Sequence, residues 1–541
     1  MCPALVAGKL LAMTATDDQV ATIQQGYTFE GEALEIGALL VDDEPKPEAG
    51  VRIPLAMLNR HGLICGATGT GKTKTLQGLA EGLSAAGVPV FAADIKGDLS
   101  GLASAGESSP KLLERTESIG QDWQPTGYPT EFYALGGEGH GVPLRVTMSA
   151  FGPVLLSKVL GLNDTQESTL GLVFHFADQA GLPLLDLADL RALLNYLTSD
   201  EGKADLKGIG GVSAATVGVI LRNLITLSNQ GADAFFGEPE FDTAELLRVA
   251  EDGRGIISLL ELPNLANRPQ IFSTFLMWLL ADLYADLPEV GDVDKPKLVF
   301  FFDEAHLLFK DASKAFMDQI TQTVRLIRSK GVGVFFVTQS PTDVPEEVLA
   351  QLGSRVQHQL RAHTPKDAKA LKQTVATYPT SSYELTELLP SLGTGEAIVT
   401  VMDPDGAPTP VAWTRARAPQ SLMSPTPEEK LQQLVQASPL QAKYGQVVDR
   451  DSAYEMLSRK LEAGAEAAQQ EQPQPQAQQP QQPFPQQPTP RQEAPRREPK
   501  PKKDEPSMFE QLSKNTFVRQ MGRTVMREVT RGLFGTGRRR R

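Results

Sequence analysis

The segment from Gly66 to Thr73 carries the residue pattern with the most specific chemistry in this chain. It reads G-x-x-x-x-G-K-T and follows a short apolar run. In this pattern glycines let backbone N–H groups wrap a phosphate, and the positive end of a helix that starts near Lys72 points at the same place. Lys72 reaches the β- and γ-phosphates, and the Thr73 hydroxyl ligates Mg²⁺. This phosphate-binding loop, the P-loop, predicts a nucleoside triphosphate site with these contact residues: Gly66, Ala67, Thr68, Gly69, Thr70, Gly71, Lys72, Thr73 and Thr75.

Two acidic residues at the end of a second apolar run supply groups that hydrolysis needs. The run KLVFFFDEAH, from Lys297 to His306, ends its apolar part at Asp303 and Glu304. The first carboxylate can hold Mg²⁺ through water, and the second can polarise the attacking water. We therefore predict Asp303 as a metal ligand together with Thr73, Glu304 as the general base, and ATP with Mg²⁺ as the bound species.

A third apolar run, VGVFFVTQ, ends at Gln339. A polar side chain there can contact the γ-phosphate or the lytic water, so Gln339 joins Lys72 and Glu304 as a predicted catalytic residue. This run also implies an extra strand between the P-loop strand and the acidic strand. The tetrapeptide DEAH occurs in helicases with two RecA domains. This chain has a long separation between Lys72 and Asp303 and lacks the S-A-T and Q-x-x-G-R-x-G-R motifs of that class, which argues against such a helicase.

Five short motifs follow one another along the chain: H-x-x-I-x-G-A-T-G-T-G-K-T (His61–Thr73), D-I-K-G-D (Asp94–Asp98), F-F-D-E-A-H (Phe301–His306), R-S-K-G-V-G-V (Arg328–Val334) and V-T-Q-S (Val337–Ser340). In these motifs the chain resembles the HerA/FtsK superfamily of P-loop motor ATPases, and specifically the HerA-like ATPases of bacteria, over about residues 35–420. Members are typically hexameric rings that pump double-stranded DNA, with ATP bound between subunits. The resemblance therefore implies a homo-oligomer, a hexamer, with double-stranded DNA as its partner.

The resemblance assigns the acidic pair and Gln339 the same roles as above, with Gln339 as a sensor, and it adds a catalytic arginine. Arg328 is implied as the finger that reaches a neighbouring subunit's γ-phosphate. Arg325 and Arg355 are alternatives for this role, and a plain helix-surface arginine is the alternative interpretation of Arg328. The chain departs from the family in a shorter N-terminal lead-in than the β-barrel of many members, in its C-terminal linker and tail, and in showing no nuclease constellation.

The elements that must position these residues are strands that alternate with helices, which favours a parallel α/β sheet. Together with the resemblance, this predicts a RecA-like P-loop core of the additional-strand type with a large helical insertion. A lone strand, Gly255–Leu262, is expected within the insertion. The predicted divisions are a small β-rich lead-in (1–50), the RecA-like core (51–102 and 290–420), a mainly helical insertion (103–289), a helical extension (421–463), a disordered Gln/Pro-rich linker (464–506) and a basic amphipathic tail helix (507–541).

The linker and tail have opposite characters. Between Gln469 and Pro490, eighteen of twenty-two residues are Gln or Pro, and such a segment buries too little apolar surface to order itself. In the tail, apolar residues form one stripe and arginines another: Phe517, Met521, Val525 and Val529 against Arg519, Arg523, Arg527 and Arg531. This helix could bind DNA phosphates, an anionic membrane or an acidic protein, or pack on its own ring.

Composition limits the classes of function and the location. The 541 residues carry a net charge of −14, although the segment from Arg491 to Arg541 has fifteen Lys and Arg against six Asp and Glu. An acidic body repels polyanions unless basic residues gather on one surface, which counts mildly against nucleic acid. The only cysteines are Cys2 and Cys65, so no disulfide framework is expected. With no signal peptide and no membrane-spanning run, since Ile271 to Tyr284 is interrupted by polar residues, we predict a cytoplasmic protein.

Some residues have two interpretations. Asp94, Lys96 and Asp98 lie at the end of a strand beside the P-loop, where ligands collect in such sheets, but they also fit a tight turn with a local ion pair. His306 either couples the acidic strand to a neighbour or is structural. For the whole chain, two alternatives to a DNA motor are an ATP-dependent scaffold or switch that docks through its tail, and a protein-moving motor of the same fold. DNA-stimulated turnover would separate the motor from the scaffold.

Overall fold

The computed structural model describes residues 17–135, 139–206, 208–262, 269–291, 293–309 and 314–470. The chain divides into two compact units, Met1–Tyr454 and Glu455–Arg541. Of the second unit, residues 455–470 are described, and they are helical. This helix therefore continues past residue 464, where the Gln/Pro-rich linker is predicted to begin. The rest of the predicted linker and the whole predicted tail helix lie outside the described residues.

One mixed sheet organises the first unit. Its strands within the described ranges are β1 (Ala33–Val41), β2 (Glu44–Pro54), β3 (Gly62–Cys65), β4 (Val90–Asp94), β5 (Thr130–Leu135), β6 (Val142–Leu144), β7 (Ile257–Glu261), β8 (Leu298–Phe302), β9 (Val332–Thr338), β10 (Ser354–Gln357), β11 (Glu396–Thr400) and β12 (Ala412–Ala416). Their spatial order is β2-β1-β12-β11-β10-β3-β9-β8-β4-β7-β5-β6.

The sheet is parallel where the predicted site lies. Neighbouring strands from β10 to β6 are all parallel, whereas β11, β12, β1 and β2 extend the sheet by antiparallel pairing. β9 lies between β3 and β8, which confirms the extra strand between the P-loop strand and the acidic strand. The predicted fold class, an α/β RecA-like P-loop core, is confirmed.

The central strands read as continuous apolar runs because both faces of a parallel sheet are covered. β8 has the sequence LVFFF, and all of its residues are buried. The Phe301 ring lies 5.3 Å from the Phe335 ring on β9, and Phe302 lies 5.8 Å from Phe336. These aromatic contacts tie β8 to β9 and so fix the relative positions of the residues that follow the two strands.

Helices cover the sheet and fill the connections. In the first unit they are α1 (residues 17–26), α2 (Lys72–Ala85), α3 (Pro110–Ser118), α4 (Met148–Val159), α5 (Asp164–Ala180), α6 (Leu187–Thr198), α7 (Asp200–Asp205), α8 (Ala214–Asn229), α9 (Pro269–Asp286), α10 (His306–Phe309), α11 (Lys314–Ile327), α12 (Glu346–Leu349), α13 (Pro365–Val375), α14 (Leu385–Ser391), α15 (Glu428–Ala437) and α16 (Pro439–Tyr444), and α17 (Ala453–Gln470) lies mainly in the second unit.

The long apolar helix α9 packs inside the protein. Its residues Phe275, Leu279 and Leu283 are almost fully buried, which confirms the prediction of a buried helix from Ile271 to Tyr284. Within the described ranges, no helix combines the length and the apolar character that a bilayer crossing requires.

In two parts of the chain, the predicted insertion and the predicted lead-in, the structure differs from the expectations drawn from the sequence. The stretch 103–289 contains β5 and β6 in addition to β7, so the expectation of a lone strand was wrong. β5 is a short apolar run without a distinguishing periodicity, and its strand form depends on parallel pairing with β7. The lead-in is indeed rich in β-structure, but its hairpin of β1 and β2 crosses residue 50 and joins the main sheet through β12.

Candidate nucleotide-binding and hydrolysis site

The P-loop connects the carboxyl end of β3 to the first turn of α2. Its backbone turns at Gly69 and Gly71, where φ is 82° and 120°, values that favour glycine. At Gly66 a Cβ atom would lie 2.6 Å from the His358 Cβ and 2.8 Å from the Thr70 hydroxyl. The loop therefore fits tightly against the segment after β10 only because glycine occupies position 66.

Lys72 lies inside this loop. The side chain is buried, and its Nζ donates a hydrogen bond to the Ala67 carbonyl at 3.1 Å. Burial lowers the pKa of Lys72, while the nearby carboxylates, first of all Glu304, act in the opposite direction. A buried cation inside a curled backbone, at the N-terminus of a helix, is a suitable environment for a phosphate group.

The two threonines of the first turn have different surroundings. Thr73 is half-buried, whereas Thr75 is buried with its Oγ1 2.9 Å from the His358 Nε2. The other ring nitrogen, Nδ1, lies 2.8 Å from the Glu396 carbonyl and must donate to it. Burial lowers the pKa of His358 to about 4, so the ring is neutral and Nε2 accepts the Thr75 proton. The Thr75 hydroxyl thus ties the P-loop helix to the end of β10.

Asp303 and Glu304 follow β8 and are both buried. Burial, followed by the neighbouring Glu304 charge, raises the pKa of Asp303 to about 6. Asp303 Oδ1 accepts the Glu304 N–H at 2.9 Å. The Glu304 backbone has a φ of 48°, a left-handed conformation that costs a non-glycine residue about 1–3 kcal/mol. Such strain is typical of functional sites, where the surrounding fold holds a side chain in place.

Three side chains surround the Glu304 carboxylate. Lys96 Nζ bonds to Oε1, while Gln339 Nε2 donates to Oε2 at 3.4 Å and His306 Nδ1 lies 3.2 Å from the same oxygen. Burial raises the pKa of Glu304, but the bond and charge of Lys96, aided by Gln339 and His306, outweigh it and the pKa is lowered. The fold thus brings the predicted base and the predicted sensor into contact.

The loop that carries Lys96 is held by Asp94. One carboxylate oxygen of Asp94 accepts the Lys96 and Gly97 N–H groups at 3.2 and 2.7 Å, and the other accepts the Leu99 N–H at 2.8 Å. Burial raises the pKa of Asp94 to about 6. The tight turn is therefore confirmed, and its lysine contacts Glu304, the predicted general base, while a functional role of the loop stays a prediction.

The candidate arginine fingers lie away from their own P-loop. Arg328 begins a short turn before β9, next to His61, which precedes β3. Because β3 and β9 are parallel, Arg328 lies at the amino edge of the sheet, whereas the P-loop lies at the carboxyl edge. Arg325 is exposed on α11. Arg355 donates to the Thr377 hydroxyl at 2.5 Å.

A set of contacts that sequence patterns did not reveal clamps the P-loop from the β10 side. The Ala67 N–H donates to the Gln359 carbonyl at 2.8 Å, and Arg361 donates to the Thr68 carbonyl at 3.3 Å. These residues match no motif. The feature that could have identified them is their position directly after β10, the parallel neighbour of the P-loop strand.

Comparisons with known proteins agree with this geometry at the level of family. The model of the family "Helicase HerA-like C-terminal" matches residues 40–541, beyond the span of the five motifs. Comparison with curated proteins gave no match.

Solved structures show distant similarity. The bacterial conjugative coupling protein TrwBdeltaN70, in its unbound monoclinic form, is 15% identical and has a TM-score of 0.49, covering 75% of this chain and 94% of that chain. TrwB in complex with ADP and Mg²⁺ is 15% identical with a TM-score of 0.45 (74% and 94% covered). VirB4 of Thermoanaerobacter pseudethanolicus is 16% identical with a TM-score of 0.44 (72% and 97% covered). The family model, which spans most of the chain, shows that this protein belongs to the HerA-like family of P-loop ATPases.

Proposed function

We propose that this chain is an ATP-driven motor that assembles as a ring, a hexamer, around double-stranded DNA in the cytoplasm. The observation that carries the proposal is the convergence of Lys72, the acidic pair and Gln339 at one edge of a parallel sheet, in a member of the HerA-like family. The small number of cysteines and the dependence on an ATP pool support the cytoplasmic location.

The residues at this edge of the sheet have different roles in phosphoryl transfer. The backbone from Gly66 to Thr73 and the Lys72 ammonium hold the phosphates, and Thr73 and Asp303 hold Mg²⁺. The fit is good because the loop is a glycine-built cradle and Asp303 is a buried carboxylate, an oxygen ligand of the kind that Mg²⁺ prefers. When bound, Mg²⁺ neutralises charge on the phosphate oxygens. Glu304 accepts a proton from the attacking water, a role worth about 10²–10⁴ in rate, and Gln339 orients that water.

The position of the proposed finger supports ring assembly. Arg328 lies at the opposite edge of the sheet from the P-loop of its own chain, so in the proposed role it would serve the nucleotide of a neighbouring copy. An arginine supplied across an interface is worth about 10³–10⁵ in rate. The exposed Arg325, one turn earlier, is the alternative that the same mutagenesis must include.

The experiment that tests DNA as the substrate is the ATPase rate with and without double-stranded DNA at low and moderate salt. The net charge of −14 leaves only a confined basic surface for DNA, and release of counterions makes phosphate contacts weaken as salt rises. We expect stimulation at low salt that falls steeply at moderate salt. Absence of stimulation by any DNA at low salt would contradict the motor proposal and favour the scaffold or switch.

A further inference from the structure

Lys96 is not required by any of the roles above, yet its ammonium bonds directly to the predicted general base. The side chain is 42% exposed, whereas that of Glu304 is 7% exposed. The lysine stem therefore runs along the surface and only its head reaches the buried carboxylate. A side chain with this exposure can swing to another partner at little steric cost.

The backbone that carries Lys96 is held in place by hydrogen bonds. Asp94 accepts three N–H groups of this turn, from Lys96, Gly97 and Leu99. Gly97 supplies the left-handed conformation, with a φ of 76°, that closes the turn. Lys96 is thus a partly exposed side chain on a backbone turn that hydrogen bonds hold in place.

The Lys96 side chain also lies near Lys72, the proposed phosphate-binding lysine. The Lys96 charge is close enough to act on Lys72, as the charges of Glu304 and Asp303 also do. A phosphate held by Lys72 would therefore compete with Glu304 for the Lys96 ammonium, and its several negative oxygens make it a strong competitor.

We propose that Lys96 senses the γ-phosphate by exchanging partners. It pairs with Glu304 while no γ-phosphate is present, and it passes to the γ-phosphate when ATP binds. The exchange releases the Glu304 carboxylate to accept a water proton. With ADP no exchange takes place, so Glu304 stays paired. This inference rests on the ATPase site proposed above and adds a contact that distinguishes ATP from ADP.

The test is a double-mutant cycle read by equilibrium binding rather than by turnover. Affinities for the non-hydrolysable analogue AMP-PNP and for ADP, each with Mg²⁺, are measured on the full chain as wild type, Lys96→Met, Glu304→Gln and the double variant. We expect Lys96→Met to weaken AMP-PNP binding about tenfold, equivalent to about 1.4 kcal/mol, and to leave ADP binding within about twofold. A tenfold loss for both nucleotides, or for neither, would overturn the exchange.

The second arm of the cycle separates exchange from simple repulsion. Glu304→Gln removes the competing partner of Lys96 and also removes repulsion between Glu304 and the γ-phosphate, so it should tighten AMP-PNP binding. Only the part that acts through Lys96 disappears in the double variant. We expect the gain to be at least about threefold smaller when Lys96 is Met. An equal gain in both backgrounds would contradict the proposal.

Two controls keep the result interpretable. Lys203 forms an exposed ion pair with Asp200 at 3.2 Å on helix α7, so Lys203→Met removes a lysine ion pair away from the site and should change neither affinity. Lys96→Arg retains the positive charge and should keep the preference for AMP-PNP, which a loss through misfolding would not allow. Failure of wild type to bind either nucleotide would refute the ATPase site itself, whereas normal binding without discrimination in Lys96→Met refutes only the exchange.

Discussion

Replacing Gly66 with Ala tests how tightly the P-loop is packed against the segment after β10. The added Cβ would lie 2.6 Å from the His358 Cβ, about 1 Å inside the ordinary carbon–carbon contact distance of about 3.5–4.0 Å. The loop and β10 must therefore separate. Overpacking of this kind costs about 1–3 kcal/mol, and the φ of 156° at Gly66 adds a backbone cost of about 1–3 kcal/mol.

Two other glycines supply matched comparisons. Gly69 has a φ of 82° but open space where a Cβ would lie, so Gly69→Ala should carry only the backbone cost, about 1–2 kcal/mol. Gly78 lies within α2, also with open space, so Gly78→Ala should stabilise the chain by about 0.5–1 kcal/mol. Thermal unfolding should rank the proteins Gly78→Ala, wild type, Gly69→Ala and Gly66→Ala from most to least stable, and the last should bind nucleotide weakly. A Gly66→Ala protein with wild-type stability and affinity would refute this packing argument.

Three further predictions concern pH, the ring and the tail. Burial lowers the pKa of both His61 and His358 to about 4, so between pH 6.5 and 4 the unfolded chain binds more protons than the folded chain. The free energy of unfolding therefore falls as the pH falls through that range, by about 2 kcal/mol for each histidine at pH 5. Denaturant unfolding at pH 7 and 5 should show a smaller fall for His61→Gln than for wild type, a comparison that cancels the opposite contribution of buried aspartates. Mixing Arg328→Ala with Lys72→Ala subunits should recover some ATPase activity, and a fully active monomer at high dilution would rule out the shared site. Removal of residues 464–541 should leave basal ATPase nearly intact while weakening co-sedimentation with anionic vesicles, and loss of most turnover would place the tail in the motor.

Sequence reasoning succeeded where local chemistry dictates local structure. The P-loop has to be glycine-rich between a strand and a helix, and the LVFFF run of β8 has to be buried on both faces, so both could be located from residue types alone. The insertion of β9 between β3 and β8 followed from the motif order.

It failed where structure depends on distant pairing. β5 is a strand because it pairs with β7, more than a hundred residues further along the chain, and no periodicity within six residues could show this. The pairing of Lys96 with Glu304 likewise joins the ends of two neighbouring strands, and nothing in the D-I-K-G-D motif identifies which carboxylate the lysine meets. That the two loops lie close together could have been inferred, since β4 and β8 were both predicted as strands that end in acidic residues.

The central claim is that the P-loop and the acid after β8 form one hydrolytic site, and the most direct measurement compares Glu304→Gln with Lys72→Ala for nucleotide binding and turnover. The account predicts that Glu304→Gln binds Mg-ATP at least as tightly as wild type while turnover falls about 10²–10⁴-fold. Lys72→Ala should instead lose affinity, because its ammonium is the buried cation of the loop. Equal turnover rates for Glu304→Gln and wild type would contradict the account.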